Sequence, residues 1–145
     1  FAVFLNSDSS IMNEALRYYS GNYPTINNSG AQPMLALPII VAESEAEAAE
    51  YASEIIIVRI TLASGRTFTV FSVEAAEELG RQSQEEFTYD IQPGSVIHGT
   101  KDIVQEKINS LRESHPVKEI FAVTAIKNFE KRVRSYELLS EISWD

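Results

Sequence analysis

Met34-Leu35-Ala36-Leu37-Pro38-Ile39-Ile40-Val41-Ala42 is an unbroken apolar run of strand length. A strand with one wet face alternates apolar and polar residues. A continuous run suits a strand covered on both faces, the habit of parallel sheets. Pro38 stands against this, because it has no N–H to give a neighbour and belongs at a bulge or where no donor is needed. Phe1-Ala2-Val3-Phe4-Leu5 is a second such stretch, and Glu119 to Ile126, around Phe121-Ala122-Val123, a third. Amphipathic segments separate them. Ile11, Ala15, Leu16 and Tyr19 recur at helical spacing behind Asp8 or Ser9 as N-cap. Ser44-Glu45-Ala46-Glu47 is a capping box opening a helix with Ala48, Tyr51, Ala52 and Ile55 on one face. Gly99-Thr100 opens a helix bearing Ile103, Val104, Ile108 and Leu111, and Asn128 caps one whose Phe129, Val133, Tyr136 and Leu139 face one way. Strand and helix alternating at least three times predict βαβ units, with Phe1–Leu5, Met34–Ala42 and Ile120–Thr124 as parallel strands.

The stretch in between reads less clearly. Tyr23 to Gly30 has loop chemistry, while Ile55-Ile56-Ile57-Val58 fits either the end of a helix or a strand. Gly65 marks a stop. Residues 66–94 hold an alternating Thr67-Phe68-Thr69-Val70-Phe71, an acidic helix starting near Ser72, and Pro93-Gly94. The expectation is one domain over residues 1–145, with 64–94 an insertion acting as a lid. The apolar start at Phe1 suggests a chain cut from something longer.

Charge and composition exclude several functions. Twelve basic and 21 acidic residues give a net charge of −9, which argues against binding nucleic acid or an anionic membrane. No cysteine is present, so disulfides, thiolate metal sites and a cysteine nucleophile are absent. Two histidines, His98 and His115, do not make a histidine metal site, and no metal is expected. Arg59 interrupts the run that follows Ile55, no stretch is long enough to span a bilayer, and no signal peptide is readable, so a cytoplasmic protein is expected.

Residues able to carry chemistry are few. No glycine-rich nucleotide motif, metalloprotease motif or nucleophile elbow is present. Thr100 reads as a helix cap rather than a phosphate cradle. Glu43, Glu45, Glu47, Glu50 and Glu54 read as a solvated face. Arg132 and Arg134 read as partners of Glu130, Glu137 and the helix dipole. His98 reads as a local hydrogen-bonder and His115, before Pro116, as a turn residue. Ligands of parallel sheets and barrels sit at the C-terminal ends of strands, which singles out Asn6, Ala42, Glu43, Thr124 and Ile126. On residues alone no catalytic residue can be named.

Several strings, in order, resemble those of luciferase-like flavin-dependent monooxygenases. They are Phe1 to Asn6 followed by Ala15-Leu16-Arg17-Tyr18-Tyr19; Pro33-Met34-Leu35-Ala36-Leu37 running to Glu47-Ala48; Gly65-Arg66; Val96 to Val104; Glu119 to Thr124; and Arg132-Val133-Arg134-Ser135-Tyr136-Glu137-Leu138-Leu139. The resemblance implies the C-terminal portion of a (β/α)8 TIM-type barrel, α/β with parallel strands alternating with helices and the barrel incomplete. It implies an oxidoreductase in which reduced FMN activates dioxygen on a small organic substrate, with a flavin reductase as partner and a homo-oligomeric assembly. Asn6, where the family commonly has His, and Thr124 are then expected to line the flavin pocket, and the 145-residue chain alone to be inactive. The alternative is a shortened, non-catalytic relative that binds flavin or packs against a partner.

Overall fold

The structure, a computed structural model, describes residues 2–4, 14–18, 34–114 and 119–143. Its elements run β1 (Ala2–Phe4), a helical stretch α1 (residues 14–18), β2 (Met34–Val41), α2 (Glu45–Ser53), β3 (Ile56–Leu62), β4 (Thr67–Val70), α3 (Val73–Ser83), β5 (Phe87–Pro93), β6 (Ile97–Gly99), α4 (Lys101–Ser114), β7 (Glu119–Val123) and α5 (Phe129–Ser140). They fall into two compact units, one of residues 1–51 and 95–145, the other of residues 52–94.

The first unit is built on β2. This strand pairs in parallel with β1 over Met34–Ala36, with β7 over Met34–Pro38 and with β6 over Ile39–Val41. Every residue from Leu35 to Val41 is buried, hence the continuous apolar run. Leu35, Leu37, Ile39 and Val41 pack on Val104 and Ile108 of α4, Leu138 and Leu139 of α5, Ile142, and Leu16 of α1. Each fully buried side chain of this size contributes about 1.5–3 kcal/mol. Pro38 is accommodated by a gap. Alternate residues of a strand turn their N–H and C=O to opposite edges, and the edge of Ala42, whose N–H bonds to Gly99 O at 3.1 Å, is the edge of residue 38. Among the described residues β1 pairs there only as far as Ala36 and β6 only from Ile39, so the missing donor meets no acceptor.

The second unit is antiparallel, with β3 between β4 and β5. Parallel strands alternating with helices therefore describe the first unit only. The turn through Ser64 and Gly65 is too short for a parallel crossover, and Gly65 takes a positive φ of 82° with its N–H on Leu62 O at 2.8 Å. β3 buries Val58, Ile60 and Leu62 beneath Ala76 and Leu79 of α3 and exposes Arg59 and Thr61. The helix starts where Ser72 Oγ accepts the Ala75 N–H at 3.1 Å. Gly80 lets the Phe87 ring lie against α3, where a Cβ would collide with it. Glu85 fastens the β3–β4 turn, accepting from Ser64 N at 3.0 Å and Arg66 Nη2 at 2.6 Å. The expected boundary at 64 thus lies inside a folded unit that starts at residue 52.

Other expectations meet mixed outcomes. Of the run Ile55–Val58, residues 56–58 open β3, and Ile55 lies in the short link from α2, which ends at Ser53. Of the α5 face expected to point one way, Leu139 is buried, but Phe129 is 67% exposed and Val133 and Tyr136 about 40%. The buried side is Ser135, Leu138 and Leu139. Leu5, Asp8, Ser9, Ile11, Tyr19 and the Tyr23–Gly30 loop lie outside the described residues. The described strands close no barrel, and no helix among the described residues is long and apolar enough to cross a membrane.

Two measurements check these assignments. Gly99 has φ 152°, and a Cβ there would lie 2.7 Å from Ile103 Cγ2; Gly99→Ala should lower stability in urea by about 1–3 kcal/mol. Hydrogen bonds from Ser64, then Arg66, hold the Glu85 carboxyl below its usual range. Its contribution is present above the ordinary carboxylate value near ~4.3 and is lost as pH falls through the lowered one. Glu85→Gln should therefore flatten the acid dependence of the second unit's hydrogen exchange, and an unchanged pH profile would remove Glu85 from that role.

Candidate functional site

β2 outruns β7, and that overhang organises the C-terminal end of the parallel strands. Beyond the Pro38–Val123 pair, Ile39 and Val41 still direct backbone groups toward that edge. A buried backbone group without a partner costs about 1–3 kcal/mol. Two hydroxyls supply the partners. Thr124 Oγ1, one residue past β7, donates to Ile39 O at 2.8 Å, and Ser135 Oγ of α5 accepts from Val41 N at 2.9 Å. Both residues are buried.

The rest of the α5 first half is similarly engaged. Tyr136 Oη accepts from Thr124 N at 3.1 Å, and Arg132 Nη1 donates to Ile126 O at 2.9 Å. Arg134 donates from Nε and Nη2 to Glu43 Oε1 at 3.0 and 2.6 Å and from Nη1 to Glu137 at 2.9 Å. Glu43 and then Glu137 raise its already high pKa further, so it stays charged at every accessible pH. These ion pairs are solvent-exposed and add little stability by themselves. Behind them Tyr51, buried on α2, donates to Glu47, and that bond raises the phenol pKa. Lys131 Nζ sits 4.5 Å above the Tyr51 ring. Val41, Glu43, Glu47, Tyr51, Lys131 and Ser135 are among the residues around a cavity of about 70 Å³, room for about two waters.

Of the residues singled out in the sequence, this end gathers Ala42, Glu43, Thr124, Ile126, Arg132 and Arg134. Thr124 is 5% exposed, its hydroxyl proton spent on Ile39 and its lone pairs still able to accept. Asn6 and His115 lie outside the described residues. His98 Nδ1 lies 3.0 Å from Val96 O, and its carbonyl accepts from Lys107 at 2.9 Å. Thr100 O accepts the Val104 N–H at 2.9 Å as α4 begins. The glutamates do not converge. Glu43 pairs with Arg134, Glu47 accepts from Tyr51, and Glu45 and Glu54 are exposed. Among the described residues no group of three or more His, Asp or Glu is placed to hold a metal ion. Neither Ser135 nor Tyr136 stood out in the sequence as a site residue, although both sit inside the quoted Arg132–Leu139 string; their partners lie 94 and 12 residues away.

No protein-family model matches the chain. This overturns the membership of the luciferase-like family that its short strings suggested. The most telling string, Arg132–Leu139, serves here to dock α5 on the ends of β2 and β7 through Ser135, Tyr136 and Arg132. The chain is 29% identical over 141 residues to the N-acetyl-S-alkylcysteine monooxygenase of Bacillus subtilis (strain 168), which accounts for 97% of this chain and 42% of that protein. It is 27% identical over 146 residues to the uncharacterized protein YwcH of the same organism, with the same coverage. Its fold is similar to that in the crystal structure of apo-MsnO8, with a TM-score of 0.60 and 19% identity over 97% of this chain and 43% of that one. Similarity to a monooxygenase thus runs through nearly the whole chain, and the chain spans about 42% of the length of the curated relatives it matches.

The overhang gives a direct test. Ser135→Ala leaves Val41 N–H buried without an acceptor and should cost about 1–3 kcal/mol in chemical denaturation. Ser135→Thr, which keeps the hydroxyl, should recover part of that loss. Equal stability of Ser135→Ala and the parent would remove Ser135 from the account of this edge.

Proposed function

We propose that this chain is part of an oxidoreductase, a monooxygenase using reduced FMN and dioxygen on a small organic substrate, and that it forms one arc of a (β/α)8 barrel. The observation that carries the reading is the match to the N-acetyl-S-alkylcysteine monooxygenase over 97% of the chain. The parallel arrangement of β1, β2 and β7, with α4 and α5 packed on β2, agrees with such an arc. Inserting oxygen into an organic molecule needs a redox group that side chains do not supply, and reduced flavin supplies the two electrons.

The residues at the strand ends do not fit an FMN site by themselves. The cavity at the strand ends, about 70 Å³, is well below the roughly 300–1,000 Å³ of cofactor pockets. In this reading the chain supplies a fixed rim: the Thr124 and Ser135 hydroxyls hold the end of β2, Arg134 holds Glu43 beside it, and Asn6 and Thr124 border the cofactor. Most flavin contacts belong to polypeptide beyond these residues, and a flavin reductase supplies the reduced cofactor. Given the name of the relative, an N-acetylated S-alkylcysteine is the substrate to try first.

The reading is tested by titrating FMN into the 145-residue chain and into the product of the longest reading frame containing it, then supplying reduced FMN, oxygen and an N-acetyl-S-alkylcysteine. The short chain should bind no FMN at micromolar concentration, and the longer product should consume oxygen in step with oxidation of the thioether. Absence of flavin-dependent oxygen consumption with any thioether would overturn the reading. Tight FMN binding by the short chain without turnover would point to the flavin-binding alternative.

A further inference from the structure

The antiparallel sheet of the second unit ends on β5. Among the described residues this strand pairs with β3 along one side and with no strand along the other, over seven residues. β4, the opposite edge, has four. Two bonds fix which backbone groups of β5 face outward. Gly94 N donates to Ile55 O, and Glu86 O accepts from Ala63 N, both at 2.8 Å. Alternate residues turn to opposite edges, so Thr88, Asp90 and Gln92 serve β3 while Phe87, Tyr89 and Ile91 present N–H and C=O outward. Pro93, which has no N–H, stands at an outward position where none is needed. Natural edge strands are blunted by charge, bulges or short length. The outward residues here are apolar, and Tyr89 and Ile91 are 40% and 49% exposed on the α3 side of the sheet, opposite Ile60 and Val58 in register.

We propose that β5 is the edge at which a second copy of this chain adds antiparallel, joining two such sheets into one across a twofold axis at Tyr89. The register identifies the occupant. With the axis at Tyr89, Phe87 lies opposite Ile91 of the second copy, and the outward groups of Phe87, Tyr89 and Ile91 all find partners. On the polar face Asp90 then meets Thr88 of the second copy and Glu86 meets Gln92, so each carboxylate faces a neutral donor. Neighbouring registers lose this match. An axis at Asp90 sets the two Asp90 carboxylates against each other, and an axis at Thr88 sets Asp90 against Glu86. An axis at Ile91 pairs Tyr89 with Pro93, which cannot donate. Matching about the strand's own midpoint is what a twofold contact requires and what a foreign strand would not. On the α3 side the paired Tyr89 rings and the Phe87–Ile91 contacts cover the apolar surface that α3 leaves bare. The inference is independent of the cofactor.

Sedimentation equilibrium of the 145-residue chain between about 10 µM and 1 mM should show monomer and dimer exchanging by mass action. Over the same range the amides of Phe87, Tyr89 and Ile91 should slow in hydrogen exchange by about 10-fold or more, and those of Thr88, Asp90 and Gln92, already bonded to β3, by less. Thr88 is exposed and lies across from Thr61, away from α3, so two substitutions there test the register with opposite signs. Thr88→Lys, set against Asp90 of the second copy, should tighten the dimer by about 2- to 30-fold, two pairs changing at once, and Thr88→Asp should weaken it by a similar factor. Circular dichroism checks that both variants are folded, and either one alone decides the sign. A monomer at every concentration, a dimer in which the three outward amides stay fast, or a dimer that Thr88→Lys fails to tighten would each overturn the proposal. So would slow exchange of those amides at every concentration, because the covering strand would then belong to the same chain.

Discussion

The first unit depends on keeping the backbone of one buried strand satisfied. β2 is covered along its length, so each of its N–H and C=O groups needs a partner within the protein. Among the described residues no single neighbour pairs with it along its whole length. β1 covers its start and β6 its end on one edge, and β7 reaches only Pro38 on the other. The shortfall sets the chemistry nearby. A residue without an N–H fits at the gap between β1 and β6, and hydroxyl side chains fit where β7 stops. A methyl in place of either hydroxyl would leave a buried polar group bare, so the identities of Thr124 and Ser135 follow from the lengths of the neighbouring strands.

The same logic explains what could be read in the sequence. Met34–Val41 was legible because burial on both faces leaves an uninterrupted apolar string, and Ser72 and Asn128 were legible as local start signals whose hydroxyl or amide oxygen reaches three residues ahead. β5 was hidden. Phe-Thr-Tyr-Asp-Ile-Gln-Pro lies at a sheet edge and is largely exposed, so packing imposes little pattern on it. The α5 stripe misled because helical spacing shows that residues share a face without showing whether that face is covered.

The candidate site was legible in location only. The rule that ligands gather at the C-terminal ends of parallel strands led to Ala42, Glu43 and Thr124, which do lie together with Arg132 and Arg134. It could not lead to Ser135, because a serine in the middle of a helix carries no mark of a strand 94 residues earlier in the chain.

The neck of the second unit has an evolutionary consequence. Gly94 N donates to Ile55 O at 2.8 Å, and a Cβ on Gly94 would strike Ile55, so the chain enters and leaves this unit at one pinched point. Everything beyond the pinch, three strands and a helix with their own apolar cluster, is an excursion whose two ends are already joined. Its length, and the residues on its polar Thr61–Thr67–Thr88 face, are free to drift without changing the spacing of the two strand ends that carry it. Such a unit can be lengthened, pared back to a turn or exchanged for another while the parallel sheet keeps its register.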